Sequence, residues 1–503
     1  MHYPSFLRPL GLSLFLLGFA VFVFVLTLGR FELTPSVVKQ TLKPEHQTAL
    51  QPRLGPLLGK TYTNQFAFIS DLRGAINGYN AEQQAKQNWK AVIYDEYLFD
   101  LTKRSTIGTP VANAGLLFWL SFGLAMLGGI LFALPQLNDK PGIRNDGIMR
   151  HPATHTGWIG IALGTFLIGF YILLYFYPEH LTNWTLLVDP LSRALNGGTA
   201  SKWFLYGTLY TVIVLVMGVR MLINYRHSRY QQYRTLSVMG FQLFFAFLIP
   251  ELMSLLNAPY QDLKSIWPLD YDFFFDYEIN AKLKAGTLGI FMFVWGTGLS
   301  VVGVPVITYF VGKRWYCSWV CGCGGLAETL GDPFRHLSDK TVKAWQIERI
   351  LVHSVLVFAV VMTLLVLYSY ISGQSSLFGF LDSYSIRKTY GFLIGSIFAG
   401  VVGTGFYPLM GNRVWCRFGC PLAAYLGLVQ RVKSRFRVTT NGGQCISCGN
   451  CSTYCEMGID VRAYAQRGQD IVRSSCVGCG ICSSVCPRGV LNLENGPVST
   501  RKI

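Results

Sequence analysis

The first 316 residues contain no cysteine, although the 503-residue chain has thirteen. This excludes a disulfide-stapled outer domain and leaves every thiol between Cys317 and Cys486, where thiolate ligands in a reducing compartment are the expected use. Charge is scarce as well: 14 % of residues are charged and 51 % hydrophobic, whereas soluble chains are about a quarter charged. A soluble multidomain protein is therefore excluded. There is no catalytic-triad pattern, phosphate loop or dinucleotide fingerprint, so nothing supports a self-contained enzyme. Acidic residues are fewer than basic ones, 26 Asp and Glu against 43 Lys and Arg, for a formal charge of +17.

What the chain has instead is apolar runs of roughly 20 residues, enough to cross about 30 Å of hydrocarbon. They fall at 10–29, 111–135, 157–177, 203–222, 235–256, 285–311, 350–371 and 390–410. The first ends in LTLGRFELTP with no small-residue cleavage site, and reads as an uncleaved anchor. Eight crossings put both termini on one side. Segments 1–9, 136–156, 220–234, 312–349 and 411–503 hold 1, 3, 4, 6 and 12 Lys and Arg; the alternate segments 30–110, 178–202, 259–284 and 372–389 hold 10, 2, 3 and 2. Setting aside the long segment 30–110, which the positive-inside rule does not count, the bias predicts both termini and all cysteines in the cytoplasm of a bacterial inner-membrane protein. Topology then explains the basic excess, and nucleic acid is not required.

Two segments are predicted to be extracytoplasmic and distinctive. Residues 30–110 contain a stretch from Asp71 to Leu101 with the helical periodicity of a small cap. Residues 259–284 crowd Trp267, Tyr271, Phe273, Phe274, Phe275 and Tyr277 among Asp270, Asp272, Asp276 and Glu278, which reads as an aromatic belt at the membrane interface or a docking site for an extracytoplasmic protein.

The C-terminal part carries C-x2-C-x2-C-x3-C twice: Cys445, Cys448, Cys451, Cys455, then Cys476, Cys479, Cys482, Cys486 followed by Pro487. Paired CxxC also binds zinc, but eight cysteines in two identical runs favour cubane clusters. Gly449 and Gly480 let the backbone approach the sulfur atoms. Over about residues 441–495 the sequence resembles the bacterial dicluster ferredoxin domain, whose fourth ligand comes from the other copy. The resemblance implies one 4Fe-4S cluster on Cys445, Cys448, Cys451 and Cys486, and another on Cys476, Cys479, Cys482 and Cys455. Glu456 stands where that family usually has proline.

Five cysteines remain. KRWYCSWVCGCGG follows the sixth run and NRVWCRFGCPLAAYLG the eighth, each a C-x3-C pair after a basic and an aromatic residue: Cys317 with Cys321, and Cys416 with Cys420, plus Cys323. A spacing of four predicts both thiols of a pair on one helical face, and the two motifs look like an internal duplication that brings four sulfurs together. These thiols would hold a further metal or cluster, relay electrons, or pack as small apolar residues. Apolar runs followed by two such motifs and a dicluster ferredoxin resemble, over roughly residues 285–495, the membrane polyferredoxin family that includes the nitrous-oxide reductase regulator, the quinol-oxidising subunit of periplasmic nitrate reductase, and a cytochrome oxidase assembly protein. Cys321 is followed by Gly322 rather than the family's proline. The regulator's flavin-bearing SGAT-like motif is absent from residues 30–110, so no flavin is expected there.

Within the apolar runs, Glu251 would suit a proton acceptor at a quinol pocket and His353 a haem or quinone ligand; a structural role is open for both. His151 and His155 are four apart, but Pro152 weakens a helical metal site. The predicted organisation is an all-α membrane protein of about eight spans: an anchor (1–29), an extracytoplasmic segment (30–110), a seven-span bundle (111–410) with a cysteine loop at 313–325, a linker with C-x3-C-P (411–440), a small α+β dicluster ferredoxin domain (441–495) and a tail (496–503). Such a chain is expected to contact lipid and other redox subunits and to pass single electrons between cytoplasmic clusters and a quinone pool or partner complex. The alternatives are an assembly factor that reduces a metal for a respiratory enzyme, and a structural subunit of a larger redox complex.

Overall fold

The computed structural model describes residues 3–94, 96–139, 141, 154–377, 379, 381–497 and 500. Among them, seven helices are long and apolar enough to cross a membrane: Leu7–Val25, Ala114–Asn138, Trp158–Phe176, Lys202–Asn224, Arg229–Leu255, Gly286–Val311 and Val342–Ser372. The eighth expected run is helical too, through Ser383–Tyr390, Gly391–Val402 and Gly403–Gly405. Arg387, Lys388 and its five glycines dilute its apolar character, and it is not among the seven.

The chain forms two compact units. One comprises residues 4–132 and 172–209. Its three-stranded antiparallel sheet has Arg30–Glu32 between Thr61–Tyr62 and Thr106–Ile107. Phe31, Leu33, Leu50, Phe68, Leu72 and Leu101 form the core under it. The periodic stretch is helical at Gln65–Ala85 and Tyr97–Ser105, and Asn64 caps the first by accepting from the Phe66 amide at 2.8 Å. Lys103, buried, pairs with Asp189 at 2.7 Å. The N-terminal helix packs on the second span through bare backbone: a Cβ at Gly11 would lie 2.5 Å from the Phe132 nitrogen, and one at Gly18 2.7 Å from that of Ala125.

The other unit comprises residues 1–3, 133–171 and 210–503, and holds every cysteine. An antiparallel strand pair joins Phe436–Thr440 to Leu491–Asn495, with Phe436 opposite Asn495 and Thr440 opposite Leu491. The ferredoxin-like region is thus closed by a strand that precedes residue 441.

The aromatic loop does not lie out as a belt. Phe273 and Phe275 are buried, Trp267 donates to Thr363 Oγ1 at 3.0 Å, and Ile266 joins the core formed by Cys317, Cys321 and Trp415. The rings turn inward because glycines make room for them: a Cβ at Gly296 would strike Phe273 at 2.5 Å, and one at Gly395 would sit 3.1 Å from the Tyr271 hydroxyl. Only Tyr277 among these rings remains well exposed.

Candidate functional site

Twelve of the thirteen cysteines are those predicted as ligands, and the fold gathers all thirteen around three cavities. Cys445, Cys448, Cys451 and Cys486 line the first, of about 360 Å³, together with Arg462 and Arg488. Cys455, Cys476, Cys479 and Cys482 line the second, of about 420 Å³, with Val438, Ile471 and Ile481 as its apolar walls. Each cavity brings together three thiols from one loop and a fourth from the other copy. Gly449 (φ +83°) and Gly480 (φ +74°) each precede a one-turn helix, Asn450–Thr453 and Ile481–Ser484, in the left-handed region a side chain would disfavour.

The two cavities differ in exposure. In the outer one Cys448 is exposed and Cys445 and Cys486 half-buried, while burial pushes the Cys451 thiol up to about 11. In the inner one burial pushes Cys455 up to about 11, raises Cys476, and raises Cys479 and Cys482 well above the ordinary thiol range. Thiols in apolar surroundings resist ionising alone, and an iron core that stabilises four thiolates at once is the group such a set fits. Backbone amides already face the sulfurs: Val490 donates to Cys486 Sγ at 3.4 Å, and the Gly478 amide bonds to Cys476.

The third cavity, of about 260 Å³, is lined by Cys317, Cys321, Cys323, Cys416 and Cys420 with Tyr316 and Trp415. The two C-x3-C pairs do converge, but not along one helical face. Helix Arg314–Cys317 ends at its first cysteine, and Cys321 stands before a new helix, Gly322–Thr329; likewise Cys416 lies in Val414–Phe418 and Cys420 caps Pro421–Lys433, accepting from the Ala423 amide at 3.4 Å. Pro421 cannot continue a helix but suits its first turn, so each pair straddles a break. Burial pushes Cys317 up to about 12 and raises Cys416 and Cys420, whereas the hydrogen bond with Cys323, helped by the Gly324 amide and Lys264, pulls Cys321 down to about 6. Five thiols exceed the four a cubane takes, and Cys323, unassigned in the sequence reading, is the extra.

Direct contacts tie the inner cavity to the third. Ser318 donates to the Val477 carbonyl at 2.8 Å, Gln231 to that of Cys479 at 2.8 Å, and Gln430 to that of Cys476 at 2.8 Å. Gln430 also accepts from the amide of Lys313 at 2.8 Å. The Lys313 side chain is buried, its charge acts on Cys317 and Cys476, and no carboxylate among the described residues pairs with it. Beside them lies a buried ion cluster. Arg413 reaches Glu328 at 2.6 Å, Glu456 at 3.0 Å and Cys416 Sγ at 3.6 Å; Arg335 pairs with Glu456 and, at 2.8 Å, with Asp332; Arg234 pairs with Glu328. Sequence reasoning missed this cluster. Its one visible sign was Glu456 in place of proline, next to ligand-set residue Cys455.

The remaining candidates lie elsewhere. Glu251 is buried in Ile249–Leu255, where its charge, after burial itself, helps push the Tyr260 hydroxyl up to about 12. His353 bonds through Nδ1 to the Arg349 carbonyl of its own helix at 2.6 Å. Neither lines a cysteine cavity. His155 is exposed, and His151 lies outside the described residues.

Comparison with known proteins agrees with this geometry. A 4Fe-4S binding domain model matches residues 293–341 and 390–439, which hold the two C-x3-C pairs, and a 4Fe-4S dicluster domain model matches 444–491. The chain is 25 % identical over 180 residues to the Escherichia coli K12 protein named "Putative electron transport protein YccM", covering 32 % of this chain and 46 % of that protein. It is 24 % identical over 164 residues to the uncharacterised protein MJ0749 of Methanocaldococcus jannaschii, covering 31 % of this chain and 57 % of that one. The chain thus spans about half the length of the curated relatives it matches, and no solved structure matches it. Two cysteine cavities in a dicluster domain, a third at the paired motifs and an apolar helical body make this chain similar to membrane polyferredoxins, with cysteine sets that support 4Fe-4S clusters.

Proposed function

We propose that the chain transfers single electrons between a 4Fe-4S ferredoxin domain and a membrane or extracytoplasmic acceptor in the bacterial inner membrane, with its cysteines on the cytoplasmic side. Clusters, when bound, supply one-electron transfer with no bond made or broken. Cys445, Cys448, Cys451 and Cys486 hold the outer one, and Cys455, Cys476, Cys479 and Cys482 the inner one. The third cavity holds a further metal or cluster on four of its five thiols, Cys317, Cys321, Cys416 and Cys420. Residues 436–495 then form the ferredoxin domain, docked on the body by Ser318, Gln231 and Gln430.

The observation that carries this reading is the junction of the inner cavity with the third. Main-chain carbonyls of Cys476, Val477 and Cys479 are held by side chains of the membrane-bound body, with Arg413 touching both Glu456 and Cys416 Sγ. A ferredoxin that shuttled freely would not need buried ion pairs to fix it. The test is the double variant Cys416→Ser and Cys420→Ser, which removes two soft ligands at nearly constant volume. We expect the ferredoxin clusters to survive by absorbance while their reoxidation by quinone or the native acceptor slows in stopped flow. Unchanged rates with full cluster content would overturn the relay.

A further inference from the structure

The outer cavity opens to solvent, and its rim is chemically one-sided. Arg462 and Arg488 both line it and both are exposed, and neither forms an ion pair with any described carboxylate. A Cβ added at Gly449 would sit 3.9 Å from the Arg462 guanidinium, which places that charge directly over the Cys448 loop. Between the arginines lie exposed Cys448, Ile446, which is 57 % exposed, and Pro487. The four carboxylates of residues 441–497 do not line this cavity. Glu456 is buried against Arg335 and Arg413, Asp470 pairs with Arg437, Asp460 takes the Ser452 hydroxyl at 2.6 Å, and Glu494 stands on the strand pair opposite Arg437. An apolar centre flanked by two guanidinium groups without described carboxylate partners is complementary to a protein surface that presents a small apolar contact among carboxylates.

We propose that this rim is the docking surface for a soluble, acidic one-electron carrier protein, which sets its cofactor edge over Ile446 and Cys448 while its carboxylates engage Arg462 and Arg488. The proposal rests on the electron-transfer reading above and names the partner class of its outer site. Ile446 and Pro487 would give the small apolar contact of a transient redox encounter, and the arginines its orientation and rate of approach.

The probe is an oxidised acidic flavodoxin, immobilised, with the full chain in detergent as analyte and Kd read by interferometry from low to high salt. The expected result is measurable binding at low salt that weakens steadily as salt rises. The double variant R462E with R488E should bind about tenfold more weakly at low salt, and R462K with R488K should stay near wild type. Equal binding by the charge-reversed and wild-type chains, or no binding by wild type at low salt, overturns the proposal. Iron and sulfide assayed on the same samples separate the two failures. Full cluster content with charge-independent binding sinks the docking surface alone, and absent iron in wild type sinks the electron-transfer reading with it.

Discussion

The outer and inner cysteine cavities share one ligand spacing but not one environment. The outer one has an exposed cysteine and two exposed arginines on its rim. The inner one is walled by Val438, Ile471 and Ile481 and held by hydrogen bonds from Gln231, Ser318 and Gln430. Ligand spacing selects the cofactor, and the surroundings set how far solvent reaches it.

The largest expected effect strikes the buried side of this contrast. Glu456→Ala leaves Arg335 and Arg413 short of a carboxylate, and stripping one partner from a buried ion network costs about 3–5 kcal/mol. Thermal melting followed by cluster absorbance should show a lower midpoint for this variant, with the inner site lost first; a midpoint like wild type would mean the ion cluster does not hold the junction. Next comes accessibility. Under an iron chelator and mild oxidant, about four of the about eight irons held by the ferredoxin cysteines should leave in a fast phase, and Cys448→Ser should abolish that phase while Cys479→Ser should not. A single phase for all the iron would erase the distinction between the sites.

A smaller effect concerns Lys313, the buried cation between Cys317 and Cys476. Removing its charge should disfavour the reduced state of the inner site, so Lys313→Met lowers that reduction potential by about 60 mV, about 1.4 kcal/mol for one electron, and Lys313→Arg does not. Redox titration by electron paramagnetic resonance reads both potentials, and an equal shift at the outer site would contradict the placement. The smallest effect is a control. Partial burial, with Asp272 beside it, pushes the Asp270 carboxyl up to about 8. The folded protein therefore keeps a proton that the unfolded chain releases near 3.8, so stability falls as pH rises from about 4 to about 8 and levels off above. Asp270→Asn should flatten that dependence in thermal melts and leave the order of iron loss unchanged.

The ligand sets were legible because thiolates must converge from a fixed local spacing, and Cys445 through Cys486 satisfy it twice. The apolar spans were legible for a similar reason, since crossing hydrocarbon demands long runs. What escaped notice depends on contacts between distant segments. Cys321 and Cys420 look one helical turn from their partners, but Gly322 and Pro421 begin new helices there, so the thiols meet across breaks. The aromatic loop reads as a membrane belt by composition, and only the bare surfaces of Gly296 and Gly395 explain why Phe273 and Tyr271 turn inward. Glu328, Arg335, Arg413 and Glu456 are spread over 129 positions, and no local pattern announces that they share one buried cluster.

The central claim is that the chain carries two 4Fe-4S clusters, one open to solvent and one closed. The most direct measurement is the electron paramagnetic resonance spectrum of the anaerobically purified, dithionite-reduced protein, with and without a soluble gadolinium chelate. The account predicts two cluster signals, of which one relaxes markedly faster with the chelate, disappears in Cys448→Ser and leaves the other nearly unaffected. Two signals enhanced alike, or a protein that holds zinc in place of iron and sulfide, would contradict it.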